Sequence, residues 1–236
     1  MKAIILAAGA GTRLAPLTEG CPKCLVQVGG RSLIDYQLEA LYQAGVNEVV
    51  LVLGYEAAQV RAHCGSAARY LENPDYLTTN SIYSLYLAAA ELDTDSFLFN
   101  CDILFHPQVL QRLLAFPNAV AVDGQVARVA GEMNVASDPQ QRVQAISKQL
   151  APADSQSQSA QLVKFDRQGA LEVGREVQRL VREQHRDVFP TSAYGPLITR
   201  QQLFAVEVGD LPWGEIDSLE DYERVTREVL PRLPGV

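Results

Sequence analysis

Hydrophobic positions in the first hundred residues fall into short unbroken runs separated by segments of helical period. Ala3 to Ala8 is apolar throughout and stops at Gly9, which predicts a strand buried on both faces that runs into a glycine-rich loop. Ser32-Leu33-Ile34-Asp35 is a capping-box pattern, and Leu33, Ile34, Leu38 and Leu41 continue at helical spacing to Gly45, so a helix is expected over about 33–44. Val49 to Leu53 is a second apolar run, completing a strand, helix, strand unit of the kind that builds parallel sheet. The alternation continues with an amphipathic segment over 56–63, a short strand near 69–71 and a helix over about 79–92. On that helix Ile82, Leu85, Tyr86 and Ala89 mark the core face, while Asn80 and Ser84 are expected on another face, aimed away from the core. Phe97-Leu98-Phe99 predicts a central strand ending at Asn100-Cys101-Asp102, and Pro107 opens a helix in its first turn.

Beyond residue 118 the pattern breaks into short strand candidates at 119–122, 134–136, 143–147 and 162–165, the mark of mixed sheet. The polar stretch from Ala151 to Gln161 predicts a mobile loop over the site. A charged helix is expected over about 167–185, and a last one opens at the capping box Ser218-Leu219-Glu220-Asp221, directly after Asp217. No solenoid repeat or interdomain linker interrupts the order. The expectation is one α/β domain over 1–236, a three-layer sandwich with a Rossmann-like, mainly parallel mixed central sheet. In such sheets ligands bind at the carboxyl ends of the strands, where Asp102 lies.

Composition narrows the function classes. With 47% hydrophobic and 20% charged residues the chain is globular, and its net charge of -8 disfavours nucleic acid and anionic membranes as partners. No apolar stretch approaches the roughly 20 residues of a membrane span, and the apolar start lacks a clear cleavage region, so a cytoplasmic protein is expected. Four cysteines do not make a disulfide framework; Cys21-Pro22-Lys23-Cys24 has no second such pair, and His63, His106 and His185 are scattered. His106, four residues past Asp102, reads as a solvated loop histidine, because hard cations prefer oxygen.

The chemistry concentrates in Leu6-Ala7-Ala8-Gly9-Ala10-Gly11-Thr12-Arg13-Leu14, followed by Pro22-Lys23. Glycines after a strand let backbone N–H groups close around phosphate oxygens. The dinucleotide pattern G-x-G-x-x-G fails because Leu14 stands where its third glycine belongs, and G-x-x-x-x-G-K-[ST] is absent. Arg13 offers a forked donor to phosphate, and Lys23, one of only four lysines, offers a compact charge.

This segment resembles the L-A-A-G-x-G-T-R-L…P-K signature of the nucleotidylyltransferases of sugar-phosphate and phosphocholine type. Asn100-Cys101-Asp102 and Glu215-Ile216-Asp217-Ser218 resemble two further landmarks of that family, in the same order, so the resemblance runs from residue 3 to about 225. It implies the nucleotide-diphospho-sugar transferase fold type. It further implies Mg²⁺ held by Asp102 and Asp217, nucleotide contacts from Leu6, Ala7, Ala8, Gly9, Gly11 and Thr12, triphosphate contacts from Arg13 and Lys23, and an acceptor phosphate on Lys148. Asn73 to Leu85, with Asn80, Ser84 and Leu85 as an N-x-x-x-S-L form, looks like the phosphocholine cytidylyltransferase branch, which uses CTP. Asn80 and Ser84 can present amide and hydroxyl groups to base or ribose. A choline acceptor favours an aromatic cage, for which Trp213, Tyr194 and Tyr83 are the candidates, although Glu132-Met133-Asn134-Val135 lacks the aromatic expected there. Aminoethyl phosphate or phosphonate and sugar 1-phosphates with UTP or dTTP stay open, as does a non-catalytic nucleotide-binding subunit. A glycosyltransferase of similar fold usually carries an Asp-x-Asp pair, which Asp102-Ile103-Leu104 does not supply.

Overall fold

The computed structural model describes residues 1–234. Its first half runs β1 (Lys2–Ala7), a hairpin of β2 (Gln27–Val28) and β3 (Arg31–Ser32), α1 (Leu33–Gln43), β4 (Glu48–Leu53), α2 (Ala57–Cys64), β5 (Arg69–Glu72), α3 (Ser81–Leu87) and β6 (Ser96–Asn100). There follow β7 (Ile103–Phe105), α4 (Gln108–Leu114), β8 (Ala119–Asp123), β9 (Asn134–Ser137), β10 (Val143–Ser147), β11 (Ser157–Phe165) and α5 (Arg167–Arg182). The last elements are α6 (Gly195–Thr199), β12 (Phe204–Glu207), β13 (Trp213–Glu215) and α7 (Leu219–Arg224).

A nine-stranded sheet runs β10-β9-β11-β6-β1-β4-β5, with β8 on β11 and β12 on β8. β1 pairs in parallel with β4 and β6, and β4 with β5, whereas β11 is antiparallel to β6, β8 and β9. Period-two alternation sends Ala3, Ile5 and Ala7 to one face, against Ile34 and Leu41 of α1, Val60 of α2 and Leu113 of α4. Ile4 and Leu6 go to the other, against Ile82 and Leu85 of α3 and Val173 and Val177 of α5. The three-layer α/β architecture is thus as expected, with a parallel centre and a mixed flank. A third cluster around Leu14, Val28, Leu104, Ile216 and Val225 fixes the glycine loop and the C-terminal turn to each other. No helix among the described residues is long and apolar enough to cross a membrane.

Several local expectations need correction. The stretch from Ala151 to Gln161 is no mobile loop: after a short turn over Pro152–Asp154, Ser157 onward is strand β11, paired on both sides, with Ser157, Ser159 and Ala160 buried. Its small polar side chains conceal a strand that the hydrophobic pattern registers only from Leu162. The helix expected to reach residue 92 stops at Leu87 and continues as a 3-10 turn over Ala89–Glu91. Ser84 does not point away from the core; it is buried, with Oγ accepting a bond from Asn73 Nδ2 at 3.0 Å. Pro107 caps α4 from outside, at the N-cap. The short β7 and β13 pair antiparallel as a separate ribbon, a contact between distant segments that no local pattern announces.

Gly54, just past β4, lets two loops meet. A Cβ there would lie 2.5 Å from the Ala8 carbonyl oxygen and 2.9 Å from Tyr76, and Tyr55 N–H donates to that same carbonyl at 3.0 Å. Gly54→Ala must therefore push the glycine loop away from its neighbour. It is expected to destabilise the protein by about 1–3 kcal/mol, the usual cost of overpacking; a urea unfolding midpoint equal to that of the unsubstituted protein would show that the two loops are not in contact.

Candidate active site

β1 and β6 are parallel neighbours, so the loop leaving β1 and Asp102, just after β6, emerge on the same sheet edge. Gly11 takes a left-handed φ of 62°, and a Cβ there would crowd Thr18 and Lys23 at 3.2 and 3.3 Å. Thr18 Oγ1 donates to the Gly11 carbonyl at 2.9 Å, and Leu14 plugs into the third core cluster, so the loop is pinned from both ends. Around Gly9 a Cβ would meet nothing within 4 Å, which leaves open room above the loop.

Lys23 follows Pro22 in a one-turn 3-10 helix that turns its side chain inward, where it is 8% exposed. Its Nζ donates to Asp102 Oδ2 at 2.7 Å and to Asp217 Oδ1. Arg13 reaches the other oxygen, Asp217 Oδ2, at 2.8 Å, with its side chain largely in solvent. Asp217 is carried by the β7 and β13 ribbon, in which Glu215 pairs with Ile103, and Ile216 N–H donates to the Asp102 carbonyl at 2.9 Å. The capping box of Ser218 and Asp221 then turns the chain into α7.

Glu215, which in the sequence stands out only as part of the Glu215-Ile216-Asp217-Ser218 segment, completes an acid cluster. Asp102, Glu215 and Asp217 each offer a carboxylate oxygen, all within 4.8 Å of one another. Burial, and then the charges of Asp102 and Asp217, push the Glu215 carboxyl up to about 8. Burial also works against ionised Asp217, but the ammonium of Lys23, with Arg13 and Lys148 beyond it, wins and holds that carboxyl below its ordinary range. Burial likewise opposes the charge on Lys23, and the two aspartates outweigh it, so its pKa is raised. A hard divalent cation fits this donor set: the ligands are oxygens, and Asp102 Oδ1 is buried with no hydrogen-bond partner among the described residues.

A cavity of about 340 Å³ opens onto this cluster, and of the nucleotide residues expected from sequence it is lined by Leu6, Ala8, Gly9, Gly11, Thr12, Asn80 and Ser84, together with Arg13, Lys23, Asp102 and Asp217. Ala7 is the exception. Its side chain lies in the core on the opposite face of β1, because strand neighbours alternate. Buried Asn73, missed from sequence, also lines the cavity and links Thr79 and Ser84 through its amide. Asn80 caps α3, its Oδ1 accepting from Ser81 N–H at 2.7 Å.

The residues expected from sequence to bind an acceptor stand elsewhere. A wide cleft of about 670 Å³ adjoins the cavity, sharing Arg13 and Asp217 with it, and Trp213 is in its wall with Nε1 donating to Asp123 Oδ2 at 2.8 Å. Lys148, just past β10, lies 5.2 Å from the centre of the Phe189 ring, and its charge reaches Asp217 without contact. The three aromatics do not form a cage. Tyr194 is buried against Phe165, and Tyr83 stacks on Tyr86 with Arg186 5.3 Å from its ring centre, so neither faces the cleft that Trp213 lines. Cys24 is buried in the core and Cys21 is partly exposed; both thiols are free. His106 Nδ1 accepts from Gln108 N–H at 3.1 Å, a local cap.

Against known proteins, the chain is 45% identical over 108 residues to choline-phosphate cytidylyltransferase of Streptococcus pneumoniae, covering 42% of this chain and 46% of that protein. It is 42% identical over 127 residues to CMP-5'-(3-aminopropyl)phosphonate synthase of Streptomyces rubellomurinus, covering 52% of this chain and 20% of that one. The chain thus spans less than half the length of either curated relative. A solved structure of CTP:phosphocholine cytidylyltransferase from Streptococcus pneumoniae superposes with a TM-score of 0.78 over 96% of this chain and 97% of that one, at 26% identity. Residues 3–188 match the family model described as the MobA-like NTP transferase domain, and on that match the chain belongs to the MobA-like NTP transferase family.

Proposed function

We propose that the protein is a single-domain, Mg²⁺-dependent cytidylyltransferase that moves CMP from CTP to a small phosphorylated acceptor such as phosphocholine, releasing pyrophosphate. The observation that carries this reading is the convergence of Lys23 and Arg13 with Asp102, Glu215 and Asp217 at the mouth of the glycine-loop cavity. The two curated relatives above, both named for CMP or cytidylyl transfer, support CTP as donor and an aminoalkyl phosphate or phosphonate as acceptor.

In this reading the cavity takes the nucleotide. Backbone N–H groups of Gly9, Gly11 and Thr12 cradle the phosphates, and Leu6, Ala7 and Ala8 hold that backbone on the sheet. Ser84 accepts from Asn73 and keeps its own O–H for base or ribose, with Asn80 beside it. Arg13, tethered among the described residues to Asp217 alone, turns its fork to the triphosphate. Asp102 and Asp217, with Glu215, would hold Mg²⁺, which would supply neutralisation of charge on the α-phosphate when bound. Lys148 and Trp213 receive the acceptor from the cleft side. An acceptor oxygen bonds to the α-phosphorus, the bond from that phosphorus to the bridging oxygen breaks, and pyrophosphate departs with the electron pair. The acceptor is already an anion, so no protein nucleophile is needed, and Lys23 stabilises the charge that builds at the reacting phosphate.

Pyrophosphate release from CTP, UTP, dTTP, ATP and GTP against phosphocholine, aminoethyl phosphate, aminoalkyl phosphonates and sugar 1-phosphates tests this directly. CTP with an amino-bearing acceptor is expected to give the highest kcat/KM; UTP or dTTP with a sugar 1-phosphate would move the protein to the sugar branch, and release in no combination would reject the enzyme. Asp102→Ala is expected to abolish turnover with an unchanged circular dichroism spectrum. Lys23→Ala is expected to lower kcat by about 10²- to 10³-fold, and a change confined to the KM of the acceptor would show its role to be misassigned.

The cluster also sets a pH dependence. Glu215 titrates at about 8 in the folded protein against an ordinary 4.5, so the folded state binds the extra proton between those values. Its contribution to stability is full below 4.5 and is lost as the pH rises through about 8. With EDTA present, Tm is expected to fall as the pH is raised across this window, Glu215→Gln to flatten the fall, and Mg²⁺ to remove it. Parallel Tm profiles for Glu215→Gln and the unsubstituted protein would refute the coupling.

A further inference from the structure

Of the five non-glycine residues with a left-handed φ among the described residues, four lie in turns or at helix ends, and Gln161, at φ 60°, lies inside strand β11. A non-glycine residue in this region is strained, because its Cβ crowds the backbone. The strain coincides with a break in strand pairing: the register of β11 against β8 shifts between Ser159 and Val163. Such a bulge re-aims a side chain away from the strict alternation of the strand. Gln161 N–H, left outside the ladder, donates to Ser159 Oγ at 3.0 Å.

The re-aimed side chain reaches the acid cluster. Gln161 Oε1 accepts from Asn100 Nδ2 at 2.9 Å, and Gln161 Nε2 donates to Glu215 Oε2. Asn100 stands two residues before Asp102, and Glu215 two residues before Asp217. One amide therefore ties the end of β6, in the main sheet, to the end of β13, in the ribbon, at the two points from which the aspartates are launched. A separate side-chain tether of β13, Trp213 to Asp123, holds its opposite end.

We propose that Gln161 is a positioning residue: its bulged, left-handed backbone exists to place an amide that orients Glu215 within the cation-binding cluster. This rests on the cation site of the proposed function and adds to it a residue that lines neither the glycine-loop cavity nor the wide cleft beside it. The side chain, not the backbone, is what the position needs, since glycine would hold the same φ without strain.

Gln161→Ala removes the amide and keeps the strained backbone, whereas Gln161→Gly removes the amide and relaxes it. Mn²⁺ binding to the substrate-free protein, followed by electron paramagnetic resonance, is expected to weaken by about 10-fold or more in both variants, the usual loss when a group that orients a metal ligand is removed. kcat should fall by a similar factor with the KM for CTP little changed, while Gln161→Gly melts above Gln161→Ala. A purely structural role predicts that affinity and kcat follow the melting temperature and recover in Gln161→Gly, and that recovery would overturn the proposal. Unaltered Mn²⁺ affinity in Gln161→Ala would also overturn it, as would absence of Mn²⁺ binding by the unsubstituted protein. Weakened Mn²⁺ binding in both variants of a protein that releases pyrophosphate with no nucleotide would refute the proposed reaction and uphold the clamp.

Discussion

The site depends on one buried ammonium. Three carboxylates whose oxygens approach within 4.8 Å cannot all be charged in a poorly solvated place without compensation, and Lys23 bridges two of them. Glu215, which Lys23 does not touch, shows the consequence: its carboxyl keeps a proton up to about 8. Buried ion pairs of this kind are weak sources of stability, because desolvation takes back much of the Coulomb gain. Their presence at the mouth of a cavity is better explained by the proposed chemistry, in which a dense, fixed charge pattern would meet phosphate.

The fold supplies this pattern by ordinary means. Parallel pairing of β1 with β6 aligns the ends of both strands, so a glycine loop and an aspartate distant in sequence share one edge. The β7 and β13 ribbon then folds the C-terminal segment back on that edge and delivers Glu215 and Asp217. Apolar contacts of Leu14, Leu104, Ile216 and Val225 lie directly beneath, so loop, strand end and ribbon are positioned by the same small core. The charged groups are thus held by packing that contains no charge.

Left-handed backbone serves two different ends at the site. Gly11 carries a left-handed turn at no steric cost, as a glycine should. Gln161 carries the same φ at a cost, inside a strand and within reach of the acids. The contrast separates a residue present for its backbone from one present for its side chain.

Much of this was legible in the sequence. Unbroken apolar runs marked β1 and β4, capping boxes marked the starts of α1 and α7, and Arg13, Lys23, Asp102 and Asp217 stood out because the segments that carry them resemble the nucleotidylyltransferase signature. Local signals of this sort are set by a few neighbouring residues. Strand β11 escaped because serine and glutamine fill its first half, and burial there comes from neighbouring strands rather than from its own hydrophobicity. The separation of Tyr83, Tyr194 and Trp213, the inward turn of Ser84, and the places of Glu215 and Gln161 in the acid cluster follow from contacts across dozens of residues. Sequence determined which chemical groups the chain owns and the strand and helix ends that carry them. Only the packed sheet decided which of them meet, because proximity between distant segments is a property of pairing and packing, not of spacing along the chain.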